Sequence, residues 1–589
     1  MKTVLKSCLF APLFVFTLVL CAFISAPLSA QDVATKLHDL YEQTREFQDS
    51  LRSSHSEIRF STYTIEERER INSYWASVLE EIENMDRQAL DSDDRITYDL
   101  FLRNIRRDVK DFEFEDYLLP INHEGGFYSH IVGMANRARP ESVEEYENYI
   151  SRLRSVPEYF KENIDLMRRG LAKGYTLPKK VLTEDYKEMI TSQIFDDPAE
   201  SDFYKPFKSF PPSISQSEQA RLEKEGRRVI AERVIPAYQQ FLEFMEEAYM
   251  PNARETIAAS ALPGGEAYYT FLVHYYTTLD ITPQEVHEIG LREVKRIRSE
   301  MEATIKETGF KGSFDEFLHF LRTDPQFYVD KPEDLMKAVA YIAKRMDGKL
   351  PQLFNRLPRQ PYGIEPVPAH LAPRYTGGRY SSSRNETEAG YYWVNTYNLK
   401  SRPLYTLEAL TYHEAVPGHH LQIALAQELE DLPEIRRRGV TAFVEGWALY
   451  AERLGLEAGF YQDPYSNFGR LTYEMWRACR LVVDTGMHAL GWSREQAVEL
   501  MTENTALSHH EINTEINRYI ADPGQALAYK MGELKIRELR RKAENELGDT
   551  FDIRQFHDAV LLNGPVPLQV LEEQIETYIK NVRQEEKEA

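Results

Sequence analysis

Cysteine is nearly absent from this chain. There are three in 589 residues, and two of them, Cys8 and Cys21, lie in the first thirty. If that leader is removed, Cys479 stands alone, so no internal disulfide can form and the mature fold stands without covalent staples. The expected fate of Cys479 is a small buried hydrophobe. Positive charge is also short. Lys and Arg number 71 against 94 Asp and Glu, a net charge of −23. This excludes a nucleic-acid partner, whose phosphates call for a basic face, and disfavours docking on anionic lipid. With 42% hydrophobic and 28% charged residues, the chain is neither a polytopic membrane protein nor an extended disordered one. Its length is too great for one compact core, so two lobes are expected.

The first thirty residues stand apart. Lys2 and Lys6 precede an uncharged stretch that is apolar through its middle and closes on Ser29-Ala30, the form of a secretory signal peptide over 1–30. The run is nearly long enough to span a bilayer, which keeps an uncleaved anchor as the second reading. Lipid attachment at Cys21 is disfavoured by the bulk of Leu20. Cleavage after Ala30 predicts a periplasmic or secreted protein with no membrane span. It leaves 69 basic against 94 acidic residues, a mature charge of −25.

From Asp32 to about Met250, apolar residues recur at three- and four-residue spacing among dense Glu, Lys and Arg, which predicts helices throughout. Breakers lie at Pro120, Pro140, Pro198, Pro211-Pro212 and Pro251. Thr282-Pro283-Gln284-Glu285 reads as a capping box with proline in the first turn, and Ser493 to Gln496 repeats the device. Between about Pro358 and Arg402 the pattern changes to Pro, Gly, Ser and aromatics. There GYYWVNTYNL predicts one or more short strands, with a candidate sheet edge for holding an extended substrate. The expected fold is mainly α, with a small sheet beside the most informative residues. A helical lobe is expected over about 31–260 and a metal-site lobe over about 261–589.

Those residues are Tyr412-His413-Glu414-Ala415-Val416-Pro417-Gly418-His419-His420, with Thr406 placed to cap the helix before them. Zinc hydrolases commonly use HExxH, in which a spacing of four puts two imidazoles on one helix face and the glutamate serves as base. Here the fourth position after His413 is Pro417. In an ideal helix His419 would point about 240° away from His413, and His420 would lie roughly 10 Å further along the axis. Pro417 removes a backbone donor and Gly418 tolerates unusual dihedrals, so a local distortion that absorbs two residues would return His419 to the ligand face. His413 and His419 are therefore the expected ligands, with His420 the competitor. Downstream, Glu445 sits among apolar residues in TAFVEGWALYAE, which is costly for a carboxylate unless it is paired or ligated. It is the expected third ligand of one Zn2+ per chain, with Glu452, two turns on, as the alternative. Gly446 would let the two helices approach closely. Glu414 would act as general base toward a metal-activated water.

The stretches LPGGEAYYTFLVHYYTTLDITPQEVHEIGLREV, LTYHEAVPGHHLQ, FVEGWALYAERLG, RLVVDTGMHALGWS and RYIADPGQALAYKMG resemble the bacterial domain-of-unknown-function family 885, a relative of the HExxH zinc peptidases. More distantly, a first-helix His-Glu-His with a second-helix Glu is similar to the gluzincins, with the histidine spacing stretched by two residues. The resemblance implies a two-lobed, zincin-like metallopeptidase fold and a peptide substrate, cut without a covalent intermediate. It also implies a tyrosine hydroxyl against the developing oxyanion, for which Tyr519 and Tyr529 are candidates. Asp484 and His488 are four apart on one expected helix, with Arg480 a turn before. His488 or Arg480 would face the substrate, and Arg480 and Arg518 would bind a carbonyl or carboxylate. Two other readings stand beside this one. One is a zinc amidase or esterase acting on a cell-wall or other non-peptide substrate, and the other a non-catalytic periplasmic binding protein.

Overall fold

The computed structural model describes residues 30–588 apart from 56–58, 61, 123–124, 183, 369–371, 373–374 and 384–386. The expected leader therefore lies, but for Ala30, outside the described residues. Helices dominate from the start, among them Ala30–His55, Ile65–Glu83, Ser92–Glu113, Val156–Lys173 and Gln216–Val229. Thr64 opens the second of these with a full capping box, satisfying backbone donors that would otherwise lack partners. No helix among the described residues is long and apolar enough to cross a membrane. A large apolar core runs from Val33 and Leu37 in the first helix to Ile575 and Ile579 in the last, with two smaller clusters beside it, one around Tyr269 and Leu481 and one around Leu166 and Leu262.

The later half carries the chemistry-bearing residues. Helix α1 (Pro283–Thr308) starts with the expected Thr282–Glu285 capping box, and Ser493 and Gln496 form the second one. A three-stranded sheet follows. β1 (Tyr362–Pro366) pairs parallel with β3 (Gly390–Val394), and β2 (Gly378–Ser381) pairs antiparallel with β3 on its other side. GYYWV is thus the central strand, with Gly390, Tyr392 and Val394 buried on one face. It is not an edge, as the sequence suggested; β1 and β2 are the edges of this sheet.

After the sheet come α2 (Leu407–Glu414), α3 (His419–Gln427), α4 (Thr441–Glu457), α5 (Pro464–Ala489), α6 (His509–Ala521) and α7 (Leu527–Leu547). Thr406 precedes α2 but does not cap it: its backbone is already helical (φ −94°, ψ −9°), and its hydroxyl donates to the Pro403 carbonyl at 3.0 Å. Every residue of α5 from Phe468 to His488 is buried, so this helix is the axis on which its neighbours pack. Where α1, α5 and α7 meet, fully buried Lys530 reaches Glu474 and Glu533 at 2.9 Å and Glu293 at 3.2 Å. Arg470 and Arg537 join the same carboxylates. Charges so buried persist only when paired in this way.

Helices α4 and α7 cross at glycine. A Cβ on Gly446 would come within 2.5 Å of the Gly532 backbone, and one on Gly532 within 1.9 Å of the Ala442 carbonyl. Gly446 therefore serves the contact with α7 and not, as expected, an approach to the histidine helix. Gly532→Ala should destabilise the protein by about 2–3 kcal/mol or more through overpacking. Gly309→Ala, at a left-handed position with φ 75° and open space around it, should cost only about 1 kcal/mol. Denaturant unfolding of the two variants compares them; equal losses would contradict the close crossing.

Candidate metal centre

Helix α2 stops at Glu414 and α3 begins at His419. Between them Ala415 and Gly418 leave helical geometry (ψ −111° and −128°), and the Val416–Pro417 bond is cis. The backbone folds back so tightly that a Cβ on Gly418 would lie 2.0 Å from the His413 carbonyl oxygen and 2.4 Å from that of Tyr412. Glycine is required there by space. The Trp447 indole of α4 donates to the Pro417 carbonyl at 2.9 Å and fastens the interruption to the helix that carries Glu445.

This return brings His419 back beside His413, their rings nearly perpendicular with centroids 4.8 Å apart. Together with Glu445 they form a cluster whose ligand atoms all lie within 4.8 Å of one another. Glu445 Oε2 is 3.8 Å from His413 Nε2 and 3.5 Å from His419 Nε2, and it has no hydrogen-bond partner. Those separations are too long for good hydrogen bonds. They fit donors around a shared tetrahedral ion with bonds of about 2.0–2.2 Å, whose ligands stand roughly 3.3 Å apart. Burial opposes ionisation of Glu445, but the two imidazoles outweigh it and hold the carboxyl well below its usual range. Side-chain exposure of His419 and Glu445 is 11% and 19%, which leaves the cluster approachable from one side.

His420 goes elsewhere. Its Nδ1 is 2.9 Å from the Tyr380 hydroxyl, and its ring packs against Tyr362 and Tyr380. Burial drives its pKa down to about 4, so it is a neutral wedge between α3 and the sheet. Glu452 takes a different place from its expected alternative role as a ligand, since its Oε1 accepts from His413 Nδ1 at 2.8 Å. In the neutral ring that bond keeps the proton on Nδ1 and leaves Nε2 as the lone-pair nitrogen facing Glu445. Burial lowers the His413 pKa, yet Glu445 and Glu452 more than reverse this and raise it to about 9. Arg477, buried on α5, lies 3.8 Å from Glu452 and stands behind it. Glu414 is buried beside the cluster, and one of its oxygens accepts the Tyr380 amide of β2 at 2.7 Å.

The remaining sequence candidates separate. Tyr529 stays near the centre: burial raises its phenol first, Glu445 raises it further, and Arg480 and Arg518 oppose. The Arg480 guanidinium lies 4.4 Å from the Tyr529 ring. Tyr519 does not supply a free hydroxyl: its oxygen accepts from Trp476 at 2.9 Å and Arg480 at 2.6 Å, and its proton is taken up by the Glu515 carboxylate. His488 does not face a substrate either. Its Nδ1 accepts from the Ala259 amide and its Nε2 meets the Tyr519 carbonyl, both at 2.9 Å. Nor does it bond Asp484, which accepts from the Tyr269 hydroxyl at 2.6 Å and the Gly524 amide at 3.1 Å. Sequence reasoning missed Tyr380 and Arg477. Arg477, Arg480 and Asp484 fall at helical spacing on one stripe of α5, a signal that was available; Tyr380 left none, since only the folded sheet places it.

Two outcomes follow. Glu452→Gln should weaken zinc binding by about 10–100-fold, as loss of such an outer carboxylate does, read by competition with a chromophoric chelator; unchanged affinity would remove Glu452 from the centre. His488, held neutral by burial with a pKa of about 4, sets a pH window. Its native pKa is depressed, so its stabilisation is complete above the unfolded value near 6.5 and is lost as pH falls toward 4, by up to ~3 kcal/mol. The stability advantage of the wild type over His488→Gln should therefore shrink across that interval in unfolding experiments, and an advantage constant with pH would refute it.

Residues 48–575 match the family described as bacterial protein of unknown function (DUF885). No curated protein matches. Among solved structures, a protein assigned as a lipoprotein from Colwellia psychrerythraea is 28% identical with a TM-score of 0.83, covering 93% of this chain and 99% of that one. A second, from Shewanella oneidensis, is titled as a lipoprotein of unknown function. It is 16% identical with a TM-score of 0.66 over the same shares, and shows likeness of fold alone. With nearly its whole length matched by the family's profile, the chain belongs to the bacterial family DUF885.

Proposed function

We propose that this protein is a zinc-dependent hydrolase of zincin-like, two-lobed design that cuts peptides. The observation that carries the reading is the meeting of His413, His419 and Glu445 within 4.8 Å, with Glu414 oriented beside them by the Tyr380 amide. Two imidazoles and one carboxylate with an open side are the donor set of catalytic zinc in hydrolases. A zinc ion held by these three would supply Lewis acidity toward a water molecule and the scissile carbonyl. Glu414, with one oxygen anchored on the β2 amide, takes the proton of the attacking water on the other and returns it to the leaving nitrogen. Glu452 keeps the His413 proton on Nδ1. Tyr529, whose phenol feels the charge of Glu445, is the proposed donor to negative charge growing on the carbonyl oxygen. The apolar leader and the assignment of the Colwellia psychrerythraea protein as a lipoprotein favour export, to the periplasm or beyond, with retention on the membrane as the second reading.

The test is metal content alongside turnover of a peptide library, on protein beginning at Gln31. One zinc per chain is expected for the wild type, lost in His419→Ala and Glu445→Ala and kept in His420→Ala. Glu414→Gln should keep zinc and lose about 10²–10⁴-fold in rate. Near-normal hydrolysis by that variant would sink the assignment of the base, and absence of zinc from the wild type would sink the reading altogether.

A further inference from the structure

Beside the centre, α5 and α6 hold two arginines on one carboxylate. Glu515 Oε2 accepts from Arg480 Nη2 at 3.1 Å and from Arg518 Nη2 and Nε at 3.1 and 3.3 Å. Arg480 is 3% exposed. Its Nε donates to Tyr519, and its Nη1 has no hydrogen-bond partner. Its guanidinium lies 4.3 Å from the Trp476 ring and 4.4 Å from that of Tyr529. Arg518 also donates to Gln525 at 2.8 Å, and with 17% of its side chain exposed it forms the accessible end of the pair. A brace between two helices needs one guanidinium on one carboxylate. Here a second shares the same oxygen, and a buried donor is left over. Buried donors without partners are rare and call for an explanation.

We propose that Arg480 and Arg518, held by Glu515 and covered by Tyr529, are a subsite for a carboxylate of the substrate, so that the centre cuts peptides at a set distance from a negative charge. The inference rests on the peptidase reading above. Tyr529 links the two places, since its ring packs on Arg480 while its phenol lies within electrostatic reach of Glu445. Arginine matches a carboxylate with two parallel donors, which fixes orientation as well as charge. In a chain of strongly negative net charge, such a positive spot also selects where an anionic peptide end comes to rest. The carboxylate comes from a free C-terminus or from an acidic side chain.

The zinc-loaded protein is given three hexapeptide pools: acids lacking Asp and Glu, the same peptides as C-terminal amides, and amides carrying one Glu at varied positions. Products are read by mass spectrometry. Cleavage of the acid pool at least 100-fold faster than the Glu-free amides, at one fixed distance from the end, identifies the C-terminus. Cleavage of the Glu-bearing amides at a fixed offset from Glu identifies the side chain. In either case Arg518→Gln, at the accessible position, should lower the preference at least tenfold, and Arg480→Lys should do the same if it folds. Equal cleavage of all pools, or a preference unchanged in Arg518→Gln, overturns the subsite and leaves the peptidase reading intact. Cleavage of no pool overturns both.

Discussion

A histidine six residues after another cannot meet the same point from an unbroken helix, and the centre of this protein is organised by how that conflict is met. The chain leaves α-helical geometry at Ala415, folds back through Pro417 and resumes at His419. The fold-back is so tight that Gly418 has no room for a side chain. Everything else at the centre is fitted to that return. The Trp447 indole takes the Pro417 carbonyl, α4 presents Glu445 to the two imidazoles, and His420 is turned out against the sheet.

Helix α4 does three jobs. Glu445 and Glu452 are two turns apart and address the same imidazole from opposite nitrogens, Nε2 at 3.8 Å and Nδ1 at 2.8 Å. Trp447 lies between them in sequence and secures the backbone of the interruption. The position of this helix is set in turn by its crossing with α7, which only glycine at 446 and 532 permits. Since α7 also bears Tyr529 and Lys530, the packing that lets the helices touch brings Tyr529 to the centre and draws Lys530 into the buried ion cluster with α1 and α5.

Much of this was legible in the residues. Periodicity gave the helices, turn residues and β-prone aromatics gave a sheet between Pro358 and Arg402, and the mismatch between histidine spacing and helical period pointed to a distortion at Pro417-Gly418. Glu445 stood out because a carboxylate among apolar residues needs a partner. The misses share a cause. His488 and Asp484 were paired by helical spacing, and Tyr519 was taken from the family resemblance; neither says what the opposite wall offers, and that wall holds the Ala259 amide, Tyr269 and Trp476. Taking GYYWV as an edge failed because strand order is set by the crossover connection and not by sequence proximity. Tyr380 was invisible because it acts through its backbone.

That last residue ties strand pairing to chemistry. Tyr380 gives its amide to Glu414 and its hydroxyl to His420, while sitting opposite Tyr392 in the antiparallel ladder. Backbone amides and side chains both alternate along a strand, so a slip of one residue would turn the amide that Glu414 accepts toward the ladder and the phenol to the other face. The general base is thus indexed to strand parity. An odd insertion inside β2 would unhitch the carboxylate with every ligand still in place.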